Sequence, residues 1–284
     1  MHPNLHFSQP VDLRSIRDRL TALQAVLAKP GLEKIATRAP LGHALADLCL
    51  NGGLERGCLH EVFASIGHET AATGFTAGLV MRVAEAKHVL WIAQDFSINE
   101  FASLSATGLV ELGFEPQRLL LLCVANADDG LRAANDALSC AALGAVVIEI
   151  PGRPKNLDMT ASRRLTLACA QKSVTAFLLR FAAEPSFSTA ETRWLVRGAA
   201  SLQQGENWGQ PVFQVELSRN RHGQTGKWMM EWSGDERIFK TPGTINETVK
   251  AHRGLMVSKA FNGSITTPRK ANGRSPTLGG GGEG

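Results

Sequence analysis

The 284-residue sequence lacks the features that would place it in a membrane or in an oxidising compartment. No stretch approaches the roughly 18 uncharged apolar residues that a membrane-spanning helix needs. Residues 1–10 are polar, without the apolar segment of a signal peptide. The five cysteines are odd in number and form no C-x-x-C pair, which argues against a disulfide framework and a structural zinc site. We therefore expect a cytoplasmic protein without membrane contact, whose cysteines are small buried hydrophobes.

Familiar catalytic motifs are also missing. His68 and Glu69 would begin a zinc-protease helix only if residue 72 were a second histidine, and Ala72 cannot bind a metal. No G-x-S-x-G turn occurs, and no G-x-G-x-x-G turn lies between a strand and a helix. Asp128 and Asp129 open a helical pattern, where acidic residues are typical of a helix start rather than of a catalytic carboxylate pair. The sequence therefore predicts no catalytic residue, no metal and no cofactor.

Charge is unevenly distributed along the chain. The formal net charge is +4, yet residues 240–284 alone carry a balance of +5 and the preceding residues a balance of −1. This tail is rich in Gly, Ser, Thr, Pro and Asn, and its one apolar cluster includes Leu255, Met256 and Phe261. A segment of this composition cannot bury enough apolar surface to fold alone. We predict a disordered tail that binds a partner through the apolar cluster.

The N-terminal segment has a helical pattern of its own. Apolar residues recur at three- and four-residue spacing and predict an amphipathic helix over residues 12–29. They are Leu13, Ile16, Leu20, Leu23 and Leu27. Such a stripe must cover either its own core or a partner. We expect residues 1–39 to form this helix and a linker, residues 40–239 the core, and residues 240–284 the tail.

The core is predicted to be an α/β fold. Short apolar runs alternate with helical patterns, which is typical of a parallel sheet covered on both faces. The parallel strands are predicted at 58–63, 88–93, 118–124, 145–150 and 174–179, and the helices at 72–86, 98–112, 128–143 and 159–172. Beyond residue 180, strands at 192–200, 211–219 and 227–232 are joined by turns that contain glycine. We expect these three to be antiparallel additions at the edge of the same sheet.

The turn after the first core strand has the setting of a phosphate-binding loop. Such a loop lies between a strand and a helix N-terminus, and it needs G-x-x-x-x-G-K-[ST] so that backbone amides and a lysine hold the phosphates. At the positions of the two glycines, the lysine and the hydroxyl, this chain has Ala64, Glu69, Thr70 and Ala71. Because a glutamate repels phosphate, the sequence predicts the frame of a nucleotide site without its chemistry.

Several motifs give the chain a resemblance to a known family. They are Val-Leu-Trp-Ile at 89–92, Leu-Arg-Ala-Ala-x-Asp-Ala-Leu at 131–138, Ser-Arg-Arg-Leu-Thr-Leu-Ala at 162–168, Glu-Thr-Arg-Trp at 191–194, and Arg-Asn-Arg-x-Gly-x-x-Gly-x-Trp at 219–228. The run 40–62 resembles the entry into a RecA-like ATPase core. The span from about residue 40 to residue 232 is similar to the ImuA family, RecA-like accessory proteins of bacterial SOS mutagenesis.

The resemblance implies a RecA-like core with a non-catalytic role. Its implied partners are ImuB, an error-prone DnaE-type polymerase reached through ImuB, and the RecA filament, and its implied place is at the nucleoid during DNA damage. In a RecA-like frame, Asp95 takes the position of the carboxylate that orients the attacking water, and Glu149 that of the aspartate that holds magnesium. The alternative reading of both is an acidic residue at a solvated strand end.

The densest basic cluster outside the tail is the turn at 219–227, with Arg219, Arg221 and Lys227. It is either a basic finger that faces a neighbour's nucleotide or DNA phosphates, or a solvated hairpin turn.

The tryptophans at 194, 228 and 232 likewise have two readings, since they either stack on single-stranded bases or form the sheet-face core. Two rival functions therefore stay open beside the non-catalytic one: an ATP-dependent, DNA-binding recombinase-like ATPase, and a sequence-independent DNA-binding module. Direct contact with DNA is expected to be weak.

Overall fold

The structure is a computed structural model that describes residues 37–95, 104–201 and 209–243, together with Asp18. The predicted N-terminal stripe and the predicted apolar cluster of the tail lie outside the described residues. Lys240, with which the tail was predicted to begin, is the last residue of a strand.

The described chain alternates between strands and helices. The strands are Arg38–Ala39 (β1), Leu54–Glu55 (β2), Leu59–Ala64 (β3), His88–Gln94 (β4), Leu119–Val124 (β5), Leu143–Glu149 (β6), Thr175–Arg180 (β7), Thr192–Ala199 (β8), Val212–Asn220 (β9), Gly226–Ser233 (β10) and Ile238–Lys240 (β11). The α-helices are Ala44–Cys49 (α1), Glu69–Ala84 (α2), Ala106–Glu111 (α3), Ala127–Ala137 (α4) and Met159–Lys172 (α5), and one 3₁₀ turn spans Pro116–Arg118.

Nine of these strands form one sheet in the order β11-β10-β9-β8-β3-β7-β6-β4-β5. The six strands from β8 to β5 in that order are parallel, and β9, β10 and β11 continue the sheet in antiparallel pairs. β1 and β2 pair with each other in a separate two-stranded sheet. The predicted fold class is confirmed: this is a RecA-like α/β core with a mainly parallel sheet, flanking helices and antiparallel edge strands.

One predicted strand direction is wrong. β8 is parallel to β3, with His60 opposite Thr192 and Ala64 opposite Val196, and it is antiparallel only to β9. Residues 181–191 return the chain from the end of β7 to the start of β3, where the Glu191 amide donates to the Leu59 carbonyl. Side chains alternate in the same way in strands of either direction, so the local pattern did not contain this information.

Most other predicted elements are present with shifted ends. Met159–Lys172 has the predicted bounds, whereas the helix predicted over 128–143 ends at Ala137 and is followed by β6 from Leu143. The sequence between them stays rich in alanine, so composition does not mark the boundary. The predicted helix at 98–112 corresponds to Ala106–Glu111 within the described residues.

Both faces of the sheet are covered by apolar layers. On one face α2 packs through Phe75, whose ring centroid lies 5.5 Å from Trp194, 5.8 Å from Phe213 and 5.1 Å from Phe239. On the other face α4 and α5 cover the middle of the sheet with small residues and leucines. Trp194 and Trp232 are fully buried, which confirms the core reading for both and excludes base stacking on them. Trp228 is partly buried against the same layer.

No helix in the described part of the chain is long and apolar enough to cross a membrane. All five cysteines are free thiols. Cys140 and Cys169 are buried, as predicted, but Cys49, Cys58 and Cys123 are only half-buried, because they lie near the ends of elements.

We predict that Gly144→Ala lowers the free energy of unfolding by about 1–3 kcal/mol, because overpacking a well-filled site forces backbone shifts. A Cβ at residue 144 would lie 2.6 Å from Cα and 2.8 Å from the carbonyl oxygen of Ala84, both backbone atoms of α2. Gly130→Ala is the matched control, since its Cβ would meet nothing closer than 3.5 Å inside α4. We expect it to stabilise by about 0.5–1 kcal/mol. Urea unfolding measures both, and equal effects of the two substitutions would contradict the packing argument.

Candidate functional site

The turn between β3 and α2 occupies the position predicted for a phosphate-binding loop. β3 ends at Ala64 and α2 begins at Glu69, so only residues 65–68 separate them. Gly67 adopts a φ of +81°, and the amide of His68 donates to the carbonyl of Ser65 at 2.9 Å. The structure thus brings together all four predicted loop positions at the carboxyl end of β3 and the first turn of α2.

The Glu69 side chain folds back over the start of α2. Its Oε1 accepts a hydrogen bond from the amide of Gly67 at 3.2 Å. A helix N-terminus attracts anions because its first amides are unpaired and its dipole is positive there. Here Glu69, the first residue of α2, directs its carboxylate to a turn amide just before the helix. Thr70, at the lysine position, is exposed, and Ala71 packs against the apolar layer under α2.

The turn is also tied to the neighbouring strand β8. His68 Nδ1 accepts from the amide of Gly198 at 3.2 Å, so His68 links the turn to β8. Arg197 Nε donates to Ser65 Oγ at 3.1 Å. Arg197 therefore brings a positive charge to the turn, although from β8 rather than from the position at which a phosphate loop carries its lysine.

Other cations at this edge of the sheet are engaged inside the protein. Arg193 Nε pairs with Glu61 Oε2 at 2.8 Å, and Arg180 donates to the carbonyls of Ile150 and Gly152. Both guanidinium groups lie over the ring of Phe63, at 5.6 and 5.7 Å from its centroid. Burial lowers the pKa of Arg180 to about 10, which leaves it charged at neutral pH. These groups hold strands and loops together and are not available to a phosphate.

Asp95 and Glu149 lie at the same edge, where β4 and β6 end. Asp95 is exposed, directly after β4. The Glu149 side chain is buried, and its Oε1 accepts a hydrogen bond from the indole Nε1 of Trp91 at 2.7 Å. Burial raises the pKa of the Glu149 carboxyl to about 7, while the Trp91 hydrogen bond acts in the opposite direction. The reading of Glu149 as a solvated strand end is therefore wrong, because Trp91 of the neighbouring strand covers it.

The basic turn between β9 and β10 is held against the protein. Asn220 Nδ2 donates to the Cys49 carbonyl at 2.8 Å, and Arg219 donates to the Ser188 carbonyl at 2.8 Å. Lys227 forms an exposed ion pair with Glu216 at 2.9 Å. The side chain of Arg221 is exposed. The turn is thus fixed in place, and among the described residues only part of its positive charge is paired with a carboxylate.

A cluster of possible metal ligands was missed by the sequence analysis. Glu55 of β2, Glu191 before β8 and His222 in the β9–β10 turn place one ligand atom each within 4.8 Å of one another. Burial raises the pKa of the Cys58 thiol to about 11, with smaller contributions from Glu55 and Glu191 in the same direction. No sequence motif joins three residues from such distant segments, so only the fold shows their proximity.

The fold and the turn define a RecA-like core. In its phosphate-loop motif, the two glycine positions, the lysine position and the hydroxyl position are all occupied by other residues. No family model matches the chain. The curated proteins named Protein ImuA from two strains of Caulobacter vibrioides are each 32% identical to it over 218 residues, which covers 69% of this chain and 85% of the relative. The chain belongs to the ImuA family. This membership supports involvement in the mutagenesis system, as the resemblance implied.

We predict that Glu149→Gln changes how stability depends on pH. The native pKa of about 7 lies above the ordinary 4.5, so the stability that the Glu149 proton confers is present below about pH 4.5 and is lost as pH rises through about 7. The glutamine variant keeps an acceptor for Trp91 without the charge. Its free energy of unfolding relative to wild type should therefore rise by up to about 3 kcal/mol from acid pH to above pH 7.

Unfolding in urea at several pH values, followed by tryptophan fluorescence, measures this difference. Glu111→Gln is the control, because Glu111 is exposed on α3. A Glu149→Gln curve that runs parallel to wild type at all pH values would contradict the assignment of a buried, easily protonated carboxyl.

Proposed function

We propose that the chain is a non-catalytic RecA-like accessory protein of DNA-damage-induced mutagenesis and translesion synthesis. It acts with ImuB, through ImuB with an error-prone DnaE-type polymerase, and it contacts the RecA filament, in the cytoplasm and at the nucleoid after damage. Membership of the ImuA family supports the mutagenesis part of the proposal. The observation that carries the non-catalytic part is the Glu69 carboxylate on the Gly67 amide at the start of α2.

Phosphate binding at this turn would need free amides and a compensating cation. The Gly67 amide is already hydrogen-bonded to a carboxylate, and a bound phosphate would meet the negative charge of Glu69 at close range. Two charges 4 Å apart interact by about 4 kcal/mol at the effective dielectric constant near a protein surface. A repulsion of that size is enough to remove the affinity that the remaining amides supply.

Magnesium would find little support at the predicted position. Glu149 uses one oxygen to accept from Trp91 and is buried with a raised pKa near neutrality. A carboxyl that is partly protonated at neutral pH is a poor ligand for a hard cation, which binds ionised oxygens. Both halves of nucleotide chemistry, the phosphate cradle and the metal, are thus weakened in the same core.

One observation favours the alternative of an ATP-dependent, DNA-binding recombinase-like ATPase. Arg197 reaches the turn from β8 and is exposed. An arginine can bind a phosphate group as well as a lysine can. Substitution of Arg197 therefore distinguishes the two functions.

We predict no ATP hydrolysis above background and no binding of magnesium-ATP tighter than about millimolar, which corresponds to only about 4 kcal/mol. Calorimetry on the full chain, with and without magnesium, measures the affinity. Saturable micromolar binding that disappears in Arg197→Ala would establish the alternative and contradict the non-catalytic proposal. Arg132→Ala, which changes an exposed arginine of α4, is the matched control.

Binding to ImuB is proposed to use the apolar cluster of the tail rather than its charges. Seven basic residues spread over residues 240–284 make a dilute electrostatic patch, whereas 254–261 is the one apolar cluster in that segment. Apolar anchors between polar residues are typical of segments that fold on binding. A target in DNA would instead make binding fall steeply with salt.

We predict that the double substitution of Leu255→Ser and Phe261→Ser abolishes co-purification with ImuB. Neutralising Arg269, Lys270 and Arg274 should leave it largely intact, and this variant is the matched control because it changes the same segment. The opposite result, with loss only in the charge variant, would show that the anchor is electrostatic. Circular dichroism of both variants verifies that the core remains folded.

A further inference from the structure

We propose that Glu55, Glu191 and His222 form a binding site for one divalent transition-metal ion, with Zn²⁺ as the best match. One ligand atom from each residue lies within 4.8 Å of the others. In a tetrahedral zinc site the donor atoms lie about 3.4 Å apart, since each bond is about 2.0–2.2 Å long. Side-chain movements of about an ångström would bring the three atoms to this spacing, and the exposed imidazole of His222 has room to make them.

Glu191 is the residue of the cluster that most favours cation binding. The residue is 8% exposed, and among the described residues its carboxylate has a single hydrogen-bond partner, His222 Nδ1 at 2.6 Å. An ionised carboxylate can accept about four hydrogen bonds, and buried polar groups in native proteins are normally satisfied. A buried carboxylate with one partner on the solvent side leaves lone pairs that a metal ion would use.

Among the described residues, no arginine forms an ion pair with Glu191. Arg38 donates to one oxygen of Glu55, Oε2, at 2.7 Å and is fixed by further hydrogen bonds to the carbonyls of Leu50 and Gly53. It compensates Glu55 and leaves the second oxygen of that carboxylate open. Arg219 and Arg221 also lie near the cluster, but the Arg219 guanidinium donates to the Ser188 carbonyl. Glu191 is therefore the carboxylate with which a divalent ion would pair.

The three ligands are positioned by contacts within the protein that do not depend on a metal. His60 is fully buried and bridges the Glu55 carbonyl, at 2.8 Å, and Thr192 Oγ1, at 2.8 Å, so it links Glu55 to the residue that follows Glu191. The turn that carries His222 is held by the Asn51 side chain on the His222 carbonyl and by the Arg221 amide on the Glu191 carbonyl.

The donor set selects the kind of metal. Imidazole with carboxylates suits Zn²⁺ and its neighbours better than Mg²⁺ or Ca²⁺, which prefer oxygen alone. Three protein ligands leave one position for water. The ion would join β2 of the small sheet to the start of β8 and to the β9–β10 turn, so it would fasten three distant segments of the chain.

Metal binding is measured on the full chain after treatment with a chelator. We expect one Zn²⁺ per chain by calorimetry, and ligand-field absorption when Co²⁺ is used in its place. Glu191→Gln and His222→Ala should each weaken binding at least about tenfold, since changes even behind the ligands cost 10–100-fold. Exposed or distant residues of the same types, Glu111→Gln and His88→Gln, are the matched controls and should bind as wild type.

A second readout separates a structural ion from surface binding. Zn²⁺ should raise the melting temperature of wild type and of the controls, because a ligand that binds only the folded chain stabilises it. It should not do so in His222→Ala. Absence of saturable binding, or binding unchanged in both ligand variants, would overturn the proposal. Should Glu191→Gln not fold, His222→Ala alone decides, since that side chain is 65% exposed.

Discussion

The packing of α2 against both halves of the sheet is the contact on which the rest of the structure depends. Phe75 touches a tryptophan of β8, a phenylalanine of β9 and Phe239 of β11, all inside one apolar layer. A Cβ on Gly78 would lie 2.6 Å from Phe239, so β11 approaches the helix this closely only because residue 78 has no side chain. Burial of each large side chain contributes about 1.5–3 kcal/mol. Together they fix α2, and with it the turn at residues 65–68.

This packing explains why the strand–turn–helix geometry of a phosphate-binding loop is present in a chain that lacks the motif residues of such a loop. The strand–turn–helix geometry depends on apolar contacts of α2 and β3, which involve none of the four loop positions except the small Ala64 and Ala71. Replacing the remaining loop residues changes local electrostatics and leaves the layer under the helix unchanged. Glu69 then stabilises the start of α2 by about 0.3–1 kcal/mol, as acidic residues in a first turn do. The anion that an active loop obtains from nucleotide is supplied here by the chain.

Periodicity in the sequence was enough to predict the fold class, because apolar runs and helical spacing are local properties. Strand direction is not local, and β8 accordingly was expected to be antiparallel although it pairs in parallel with β3. The degenerate turn could be predicted because four motif positions within eight residues of one another decide it. Glu149 could not, since its burial depends on Trp91 from another strand. The cluster of Glu55, Glu191 and His222 depends on the same kind of long-range contact, and no spacing rule relates its members.

In the proposed function, a core that carries its own carboxylate at the start of α2 would differ from an ATPase in how it is regulated. A ligand shifts a conformational equilibrium only by the difference between its affinities for the two states. The Glu69 carboxylate already accepts a hydrogen bond from the Gly67 amide. In the proposed function, nucleotide therefore binds both conformational states weakly and with nearly the same affinity. The surfaces of the core are then presented continuously, and their occupancy depends on the amount of protein and on the affinity of each partner. Control by abundance is the form of regulation that suits the proposed accessory role.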